Sequence, residues 1–258
     1  MADLSMLVTM TPAEVVLQSL PWALFYGLVF ASSRLLAPLA FDHCKKLPSK
    51  DLSYWAESMV STVNSFVLTP MALKAISESA LLDPETSFYV GTPWTSKCCC
   101  AMVGYTVWDF LTILYYRNEW GGFAMYVVHH IGTISAWGLC ASTGYAHVVA
   151  VPSLLMEATG PFVNGRYFLS TAGLKETTLY MVNGALMFLS FFGIRIVYNW
   201  WIYLLRFWSQ GALMWALPNT VVVVLFNILY PVNLSLQMIW FYKITTGIIA
   251  ILSGKKKR

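Results

Sequence analysis

Seven long apolar segments follow one another along this chain of 258 residues, and they constrain its fold more than any other feature. Each is long enough for an α-helix to cross the hydrocarbon layer of a bilayer, which takes roughly 20 residues. The segments cover residues 15–33, 55–76, 98–116, 121–145, 148–168, 177–205 and 219–252. Turn-forming residues such as Pro48, Pro84 and Gly173 lie between them. This pattern predicts an all-α polytopic membrane protein with seven transmembrane helices.

The composition agrees with a membrane protein and excludes a soluble domain. Hydrophobic residues make up 58% of the chain and charged residues 11%, with a mean hydropathy of +0.62. The net charge of +4 lies in the loops and the tail, so it bears on membrane orientation rather than on nucleic-acid binding. We therefore expect membrane lipids, and no nucleic acid, as partners.

Basic residues are distributed unevenly around the apolar segments. Asp3 and Glu14 precede the first segment, whereas a cleavable signal peptide carries positive charge there. The first segment is therefore predicted to be a retained anchor with a lumenal N-terminus. With seven spans, eleven basic residues then lie on the cytosolic side and three on the lumenal side. The eleven are Arg34, Lys45, Lys46, Lys50, Arg117, Arg166, Lys175 and Lys255 to Arg258, and the three are Lys74, Lys97 and Arg206.

The C-terminal sequence GKKKR places Lys256 and Lys255 third and fourth from the end. This spacing is that of a dilysine retrieval signal, which coat proteins recognise in the cytosol, and it also fits a plain stop-transfer charge cluster. Both interpretations need a cytosolic C-terminus. The retrieval interpretation predicts an endoplasmic-reticulum membrane protein.

Residues 207–242 form an uncharged stretch of 36 residues that has room for an additional span. An eighth helix would move the basic tail to the lumen. Trp208, Trp215 and Pro218 instead favour an interfacial or re-entrant segment. Pro231 is expected to kink the last helix.

Five charged residues lie within the apolar segments: Glu57, Asp109, Glu157, Arg195 and Lys243. A charged side chain near the bilayer centre costs roughly 2.5–3.5 kcal/mol on insertion scales, so each of them is a functional candidate. Their charges nearly cancel if they are buried together, which predicts a shared polar interior. The alternative is that pairs such as Asp109 with Arg195, or Glu157 with Lys243, only hold helices together.

The segment LLMEATGPFVNGRYF carries a polar stripe. Glu157, Gly160, Pro161 and Asn164 recur at helical spacing and share one face. This face is predicted to be a cavity wall, although close helix packing through Gly160 would give the same pattern.

Two adjacent histidines, His129 and His130, lie inside the fourth apolar segment. Neighbouring helical residues point about 100° apart, so one histidine is expected to act and the other to support it. His130 shares its face with Tyr126 and Thr133, which slightly favours His130 for the acting role. Imidazole can serve there as a general base, a nucleophile or a metal ligand.

Metal binding and a purely structural role are the alternatives for this pair. Besides the pair the chain has His43 and His147, too few histidines for the di-iron centre of membrane desaturases. A zinc site made of one or both paired histidines with Glu157 and Asp109 stays open. Simple hydrogen bonding of both histidines to neighbouring helices is the structural alternative.

An ordered set of motifs resembles the TLC domain, which ceramide synthases share with several lipid-homeostasis proteins. The motifs are YTVWDFLTIL at 105–114, the histidine pair with Thr133, GPFVNGRYF at 160–168, FFGIRI at 191–196 and IWFYKI at 239–244. The resemblance covers residues 51–252. It implies a TLC-type barrel of six transmembrane helices preceded by one extra helix. The domain limits that follow are 1–50 for the lumenal N-terminus, first helix and basic loop, 51–252 for the TLC domain, and 253–258 for the basic tail.

In ceramide synthases the paired histidines are required to transfer a fatty acyl group from coenzyme A to a sphingoid amine. The resemblance therefore implies acyl transfer by His129 and His130, with Asp109 or Glu157 orienting the acting imidazole. Fatty acyl-CoA would be a co-substrate, and no bound cofactor or metal is expected. The polar residues expected to contact the substrate are Tyr126, Thr133, Asn164, Arg195 and Lys243.

The sequence departs from ceramide synthases after the histidine pair. Those enzymes carry a His-Asp-x-x-Asp stretch where this chain has Glu157 followed by PFVNGR. It also lacks their homeobox-like insert, so it is closer to the smaller TLC-domain-containing proteins. A non-catalytic lipid-binding, lipid-sensing or cargo-escort protein is the main alternative function, followed by an intramembrane transporter or channel.

Overall fold

The computed structural model describes residues 8–83, 86, 91–216 and 220–253, and all regular secondary structure in those ranges is helical. The α-helices are α1 (Pro12–Ala40), α2 (Ser49–Ser79), α3 (Pro93–Tyr115), α4 (Phe123–Thr143), α5 (His147–Ser153), α6 (Gly160–Thr171), α7 (Thr178–Ser190), α8 (Asn199–Ala216), α9 (Thr220–Val224) and α10 (Tyr230–Leu252). Short 3₁₀ segments cover Cys44–Lys46 and Leu154–Thr159, and π-helical segments cover Phe191–Tyr198 and Leu225–Leu229.

Local sequence signals begin two of the long helices. Thr11 and Glu14 form a reciprocal capping box, with Pro12 at the first helical position of α1. Thr92 and Thr95 do the same at the start of α3. These caps satisfy backbone N–H groups that the first helical turn cannot pair, so both helices start ahead of the apolar segments predicted from hydropathy.

The apolar segment 148–168 is not the continuous helix that the sequence predicts. It consists of α5, the 3₁₀ segment and α6. Pro152 and Pro161 cannot donate a backbone hydrogen bond, and the N–H of Gly160 reaches the carbonyl of Glu157 at the end of the 3₁₀ segment. The tighter winding places Glu157 differently relative to α6 than an ideal helix would.

The last two apolar segments contain π-helical turns. The turn at Leu225–Leu229 includes Asn227, whose carbonyl would accept a hydrogen bond from a helical N–H at position 231, but Pro231 has no N–H to donate. The kink expected at Pro231 therefore takes the form of a widened turn just before it.

Four helical stretches within the described residues are long and apolar enough to cross a membrane: Pro12–Ala40, Ser49–Ser79, Pro93–Tyr115 and Thr178–Arg206. Large apolar side chains on the outside of α1, such as Leu17, Leu28 and Leu39, are more than half exposed. A soluble protein would bury a surface of this kind. The prediction of an all-α membrane protein is confirmed, while the exact number of spans stays a prediction.

Helix α1 packs against α2 and α3, α3 also packs against α4, and α2 also packs against α6. The contact between α1 and α3 depends on Gly104, because a Cβ atom there would collide with the carbonyl oxygen of Ser19 and with Trp22. Larger residues at this position would force the two helices apart.

Residues 207–216, which the sequence suggested as an interfacial or re-entrant segment, prolong α8 as a helix. Pro218 and the dilysine-like tail at Lys255 and Lys256 lie outside the described residues.

Several basic residues predicted to lie on one side of the membrane do lie at one end of the bundle. Arg34 donates hydrogen bonds to Ser49 and Ser53 at the start of α2. The loop that carries Arg117 contacts the same end, because the Trp120 indole N–H donates to the carbonyl of Lys50. The other end of α2 is held by Arg206, whose buried guanidinium donates to the carbonyls of Leu81, Asp83 and Thr86.

Candidate functional site

A cavity of about 400 Å³ lies between helices α2, α3, α4, α6 and α10 and is named here the main cavity. Among the described residues, it collects most of the side chains proposed from the sequence. The sequence-predicted site residues along it are Asp109, Tyr126, His129, His130, Glu157, Asn164, Arg195 and Lys243. Charged groups from separate apolar segments therefore share one polar interior, as the hydropathy argument requires.

His130 on α4 and Asp109 on α3 form a hydrogen-bonded pair in the wall of the main cavity. The Nε2 atom of His130 lies 2.8 Å from Oδ2 of Asp109, and the two side chains are 4% and 18% exposed. The Nδ1 atom lies 2.6 Å from the carbonyl oxygen of Tyr126, one turn earlier on α4. A carbonyl only accepts, so Nδ1 carries a hydrogen and donates it. Both ring nitrogens of His130 are thus engaged.

His129 has a different environment. Within the described part of the chain its ring makes aromatic contacts rather than hydrogen bonds, with centroids 5.1 Å from Trp240 and 5.3 Å from His130. Its side chain is half-buried in the wall of the main cavity. His129 is therefore the member of the pair with ring nitrogens free to meet a ligand.

A second cavity of about 100 Å³ adjoins the main cavity. Both cavities are lined by Met102, His129, Glu157 and Arg195, which therefore form the wall between them. Thr133, the remaining site residue predicted from the sequence, lines the second cavity. Much of the rest of its wall is apolar or small, as at Gly132, Ala136, Trp137, Ala150 and Leu154.

Glu157 is held by groups on two neighbouring elements. The side-chain N–H of Asn64 donates to its Oε2 over 2.9 Å, and Nη2 of Arg195 lies 3.7 Å from its Oε1. Asn64 in turn accepts a hydrogen bond of 2.8 Å from Tyr26, and Arg195 donates to Thr159 over 2.7 Å. The network links α1, α2, the 3₁₀ segment and the π-helical segment before α8.

The observed pairing differs from the pairs considered at the sequence level. Asp109 pairs with His130 rather than with Arg195, and Glu157 pairs with Arg195 rather than with Lys243. Of the two carboxylates proposed to orient the histidine, Asp109 is the one that contacts it.

A family model described as the TLC domain matches residues 54–246. The chain belongs to the TLC-domain family. It is 28% identical to TLC domain-containing protein 4-B of Xenopus laevis over 188 residues, which covers 72% of this chain and 71% of that protein. It is 27% identical over 225 residues to the protein of the same name from Danio rerio, with 82% and 80% covered. TLC domain-containing protein 4 of Homo sapiens is 25% identical over 233 residues, with 89% and 86% covered.

No solved structure matches the chain. These relatives are named for the TLC domain and not as ceramide synthases, so the expected closeness to the smaller TLC-domain proteins is confirmed. The match begins three residues after the boundary predicted at residue 51. The histidine pair and the residues shared by the two cavities lie inside the matched TLC domain, and so does the Glu157 network apart from Tyr26.

Three polar residues of this TLC-domain site were not identified from the sequence: Asn64, Thr159 and Gln237. Glu57 was a candidate there as an intramembrane charge, but it was given no role in the site. Gln237 accepts a hydrogen bond of 3.4 Å from Nη1 of Arg195. Asn64 and Gln237 are almost fully buried polar residues in apolar segments, a signal visible in the sequence but weaker than a charge. Thr159 gives no such signal, because threonine is common in membrane helices.

Glu57 is 7% exposed and lines the main cavity, and neither carboxyl oxygen has a hydrogen-bond partner among the described residues. Asp109, Trp108 and Thr112 are the polar side chains that interact with it at longer range. An unpaired buried carboxyl is costly, so its position beside the Asp109–His130 pair makes this part of the TLC-domain cavity a candidate functional region.

The described residues do not form the zinc site that the sequence left open. No three His, Cys, Asp or Glu side chains within those ranges are grouped in a way that would hold a metal ion. Asp109 and Glu157 instead each bind a cationic or imidazole partner of the TLC domain.

Proposed function

We propose that this TLC-domain protein transfers a fatty acyl group from acyl-CoA to a lipid acceptor inside the endoplasmic-reticulum membrane. The single observation that carries the proposal is the pair of imidazoles in the wall of the main cavity, one with free ring nitrogens and the other held by a carboxylate. Such a pair, enclosed with further polar groups, can move protons and form covalent intermediates away from water.

His129 is assigned the acting role because both nitrogens of His130 are occupied by Asp109 and the Tyr126 carbonyl. In the nucleophilic route an imidazole nitrogen of His129 forms a bond to the thioester carbonyl carbon. The C–S bond then breaks, and the coenzyme A thiolate leaves and is protonated. The acceptor amine or hydroxyl next attacks the acyl-imidazole, the C–N bond to His129 breaks, and the acceptor proton is released through the imidazole.

The general-base route uses the same atoms. A free nitrogen of His129 takes the proton of the acceptor amine or hydroxyl while the acceptor attacks the thioester directly. His130 supports either route from 5.3 Å away, because the Asp109 carboxylate stabilises a positive charge on its ring. Arg195, also in the shared wall, supplies a positive charge where the carbonyl oxygen becomes negative.

The two cavities suit the two ends of an acyl-CoA. The apolar second cavity accommodates the part of the acyl chain next to the reacting carbonyl, and the main cavity accommodates the thioester and the acceptor. Glu157, Asn164 and Tyr126 offer polar contacts to the acceptor in the main cavity.

The membrane arrangement proposed with this function has seven spans, a lumenal N-terminus and a cytosolic C-terminus. The six spans after α1 form the TLC-type barrel. The dilysine-like tail is recognised by coat proteins and returns the protein to the endoplasmic reticulum. The gathering of Arg34, Lys50 and Arg117 at one end of the bundle supports this orientation, since basic residues concentrate on the cytosolic side.

The test uses the full-length protein in nanodiscs with isotope-labelled fatty acyl-CoA and a panel of lipid amines and alcohols. Thioester consumption, lipid product and protein-bound acyl groups are measured for wild type, His129→Ala and His130→Ala. His43→Ala is the matched control, because His43 is the same residue type in the loop after α1. The proposal expects turnover in wild type and the control, loss of turnover in His129→Ala and a reduced rate in His130→Ala.

A second candidate function is lipid binding without catalysis. The observation that favours it is the closed hydrogen bonding of His130 and Glu157, which would equally well stabilise a polar lipid-binding cavity. This candidate expects no thioester consumption by wild type and unchanged lipid co-purification in His129→Gln. An acyl adduct on His129 in wild type would reject it.

A further inference from the structure

Two basic side chains stand at the exposed end of the main cavity. Arg117 follows the end of α3, Lys243 lies on α10, and both line the main cavity and are exposed. They come from regions 126 residues apart (243 − 117), so their meeting at one cavity is a product of the tertiary fold. Neither forms an ion pair with an acid in the described ranges, where Asp109 and Glu157 are engaged elsewhere.

The hydrogen-bonding capacity of both groups is largely unused. The Arg117 guanidinium donates over 3.2 Å to the carbonyl of Leu114 in the last turn of α3. The Lys243 ammonium lies 3.3 Å from the sulfur of Met125, a weak acceptor. A guanidinium has five N–H donors and an ammonium has three, so most of these donors remain free for a ligand.

The loop that carries Arg117 is held in place by aromatic contacts. Tyr116 donates a hydrogen bond of 2.8 Å to Ser53, and its ring stacks on Trp120 at 4.5 Å. Trp120 also donates to the carbonyl of Lys50. Arg117 therefore sits on a segment anchored to α2, which lowers the ordering cost of binding a ligand there.

Charge is separated along the main cavity. Its acids, including Glu57 and Asp109, are buried or nearly so, whereas Arg117 and Lys243 are exposed. An anionic group is therefore favoured at the exposed end and disfavoured in the interior. The geometry suits an elongated amphiphile whose negative group stays at the surface while its other end reaches the histidines.

We infer that Arg117 and Lys243 form a binding site for a phosphate group. Phosphate offers several acceptor oxygens to these free donors, and guanidinium and ammonium groups are the usual protein partners of phosphate. Phosphates of coenzyme A and of a phospholipid headgroup share this chemistry. The inference rests on the proposed function and deepens it, because it assigns a binding site to the phosphate-bearing end of acyl-CoA, which does not react. Phosphate binding can be measured without turnover, so the two proposals can be tested separately.

The experiment measures equilibrium binding of coenzyme A and, separately, of dihexanoyl phosphatidic acid to the full-length protein in dodecyl maltoside. Arg117→Gln, Lys243→Gln and the double variant are compared with wild type. Lys175→Gln is the matched control, because Lys175 is an exposed lysine before α7 that does not line the main cavity. We expect affinity to fall about tenfold in each single variant, since each loses hydrogen bonds to a charged group, and further in the double variant.

If the Arg117 and Lys243 variants weaken binding of coenzyme A alone, the site is assigned to the co-substrate. If they weaken binding of phosphatidic acid alone, it is assigned to a lipid headgroup. Either result, or both together, supports the phosphate site. Failure of both ligands to saturate wild type, or affinities in Arg117→Gln and Lys243→Gln equal to that of Lys175→Gln, overturns it. His129→Ala is included because it is expected to keep phosphate binding. Absence of acyl transfer by wild type, or acyl transfer that persists in His129→Ala, with intact phosphate binding then counts against the proposed function alone.

Discussion

Asp109 and Glu57 are neighbouring carboxyl groups, and replacing each by its amide is expected to have a different consequence for stability. Asp109→Asn keeps the shape of the side chain and removes the charge that holds His130 at 2.8 Å in a largely buried site. Hydrogen bonds to charged groups contribute about 1.5–3 kcal/mol. With about 2–4 °C of melting temperature per kcal/mol for a chain of about this size, the variant should melt roughly 3–12 °C below wild type.

Glu57→Gln should behave differently, because no described residue donates a hydrogen bond to either Glu57 oxygen. The change removes a buried carboxyl beside Asp109 and breaks no hydrogen bond, so stability should be unchanged or higher, within about 1 kcal/mol. Asp42→Asn is the control for an exposed ion pair. Its carboxylate lies 2.6 Å from Lys45 at the surface, where such a pair contributes at most about 1 kcal/mol.

The assay is thermal unfolding of purified protein at pH 7, followed by loss of the monodisperse peak in size-exclusion chromatography. Lipid and detergent concentrations are held fixed, because bound amphiphile shifts the melting temperature. The reasoning is refuted if Asp109→Asn melts with wild type, or if Glu57→Gln loses as much stability as Asp109→Asn. Either result would mean that the partnered and unpartnered carboxyls are energetically alike.

Three further predictions concern packing and the polar network. Gly104→Val should destabilise the protein by about 1–3 kcal/mol or abolish expression, because the valine side chain meets the Ser19 carbonyl. Gly104→Ala should lower the stability less, and the same melting assay measures both variants. Arg206→Gln should cost about 2–3 kcal/mol, because buried carbonyls lose their donors, and limited proteolysis should then cut the α2–α3 connection faster. Asn64→Ala should lower the free energy of unfolding by about 1–3 kcal/mol, because it leaves a Glu157 oxygen without its donor. Asn64→Asp should lower it further, because two acids then face each other. Thermal unfolding checks both variants.

Most of the helical framework could be predicted from the sequence. Apolar length and the breakers between segments located every described long helix, because a chain in lipid must satisfy its backbone within each segment. The helix interruptions at Leu154–Thr159 and Leu225–Leu229 were harder to predict from the sequence. Prolines signalled that something would change there, but whether the chain kinks, tightens to 3₁₀ or widens to π depends on which neighbours accept the freed groups.

The candidate site also has residues that the sequence identifies and residues that only the structure identifies. Charges in apolar segments pointed to Asp109, Glu157, Arg195 and Lys243, since a charged side chain avoids lipid whatever the fold. The same rule also pointed to Glu57, but the sequence indicates no interaction partner for this residue, so it could not be given a role. Neutral polar members such as Asn64 emerge only when the helices around them are in place, because their energetic signal in one segment is small.

The sequence by itself determined that the chain is an all-α membrane protein of the TLC-domain family and which side chains must be kept from lipid. Only the tertiary structure decided the partners: His130 with Asp109, Glu157 with Arg195, and His129 left with free nitrogens between two cavities. The physical reason is the distance along the chain over which each kind of signal acts. Hydropathy and helical periodicity act within a single segment, whereas hydrogen bonds and ion pairs need atoms from different helices to come within about 3–4 Å, and this depends on how each helix is rotated and interrupted.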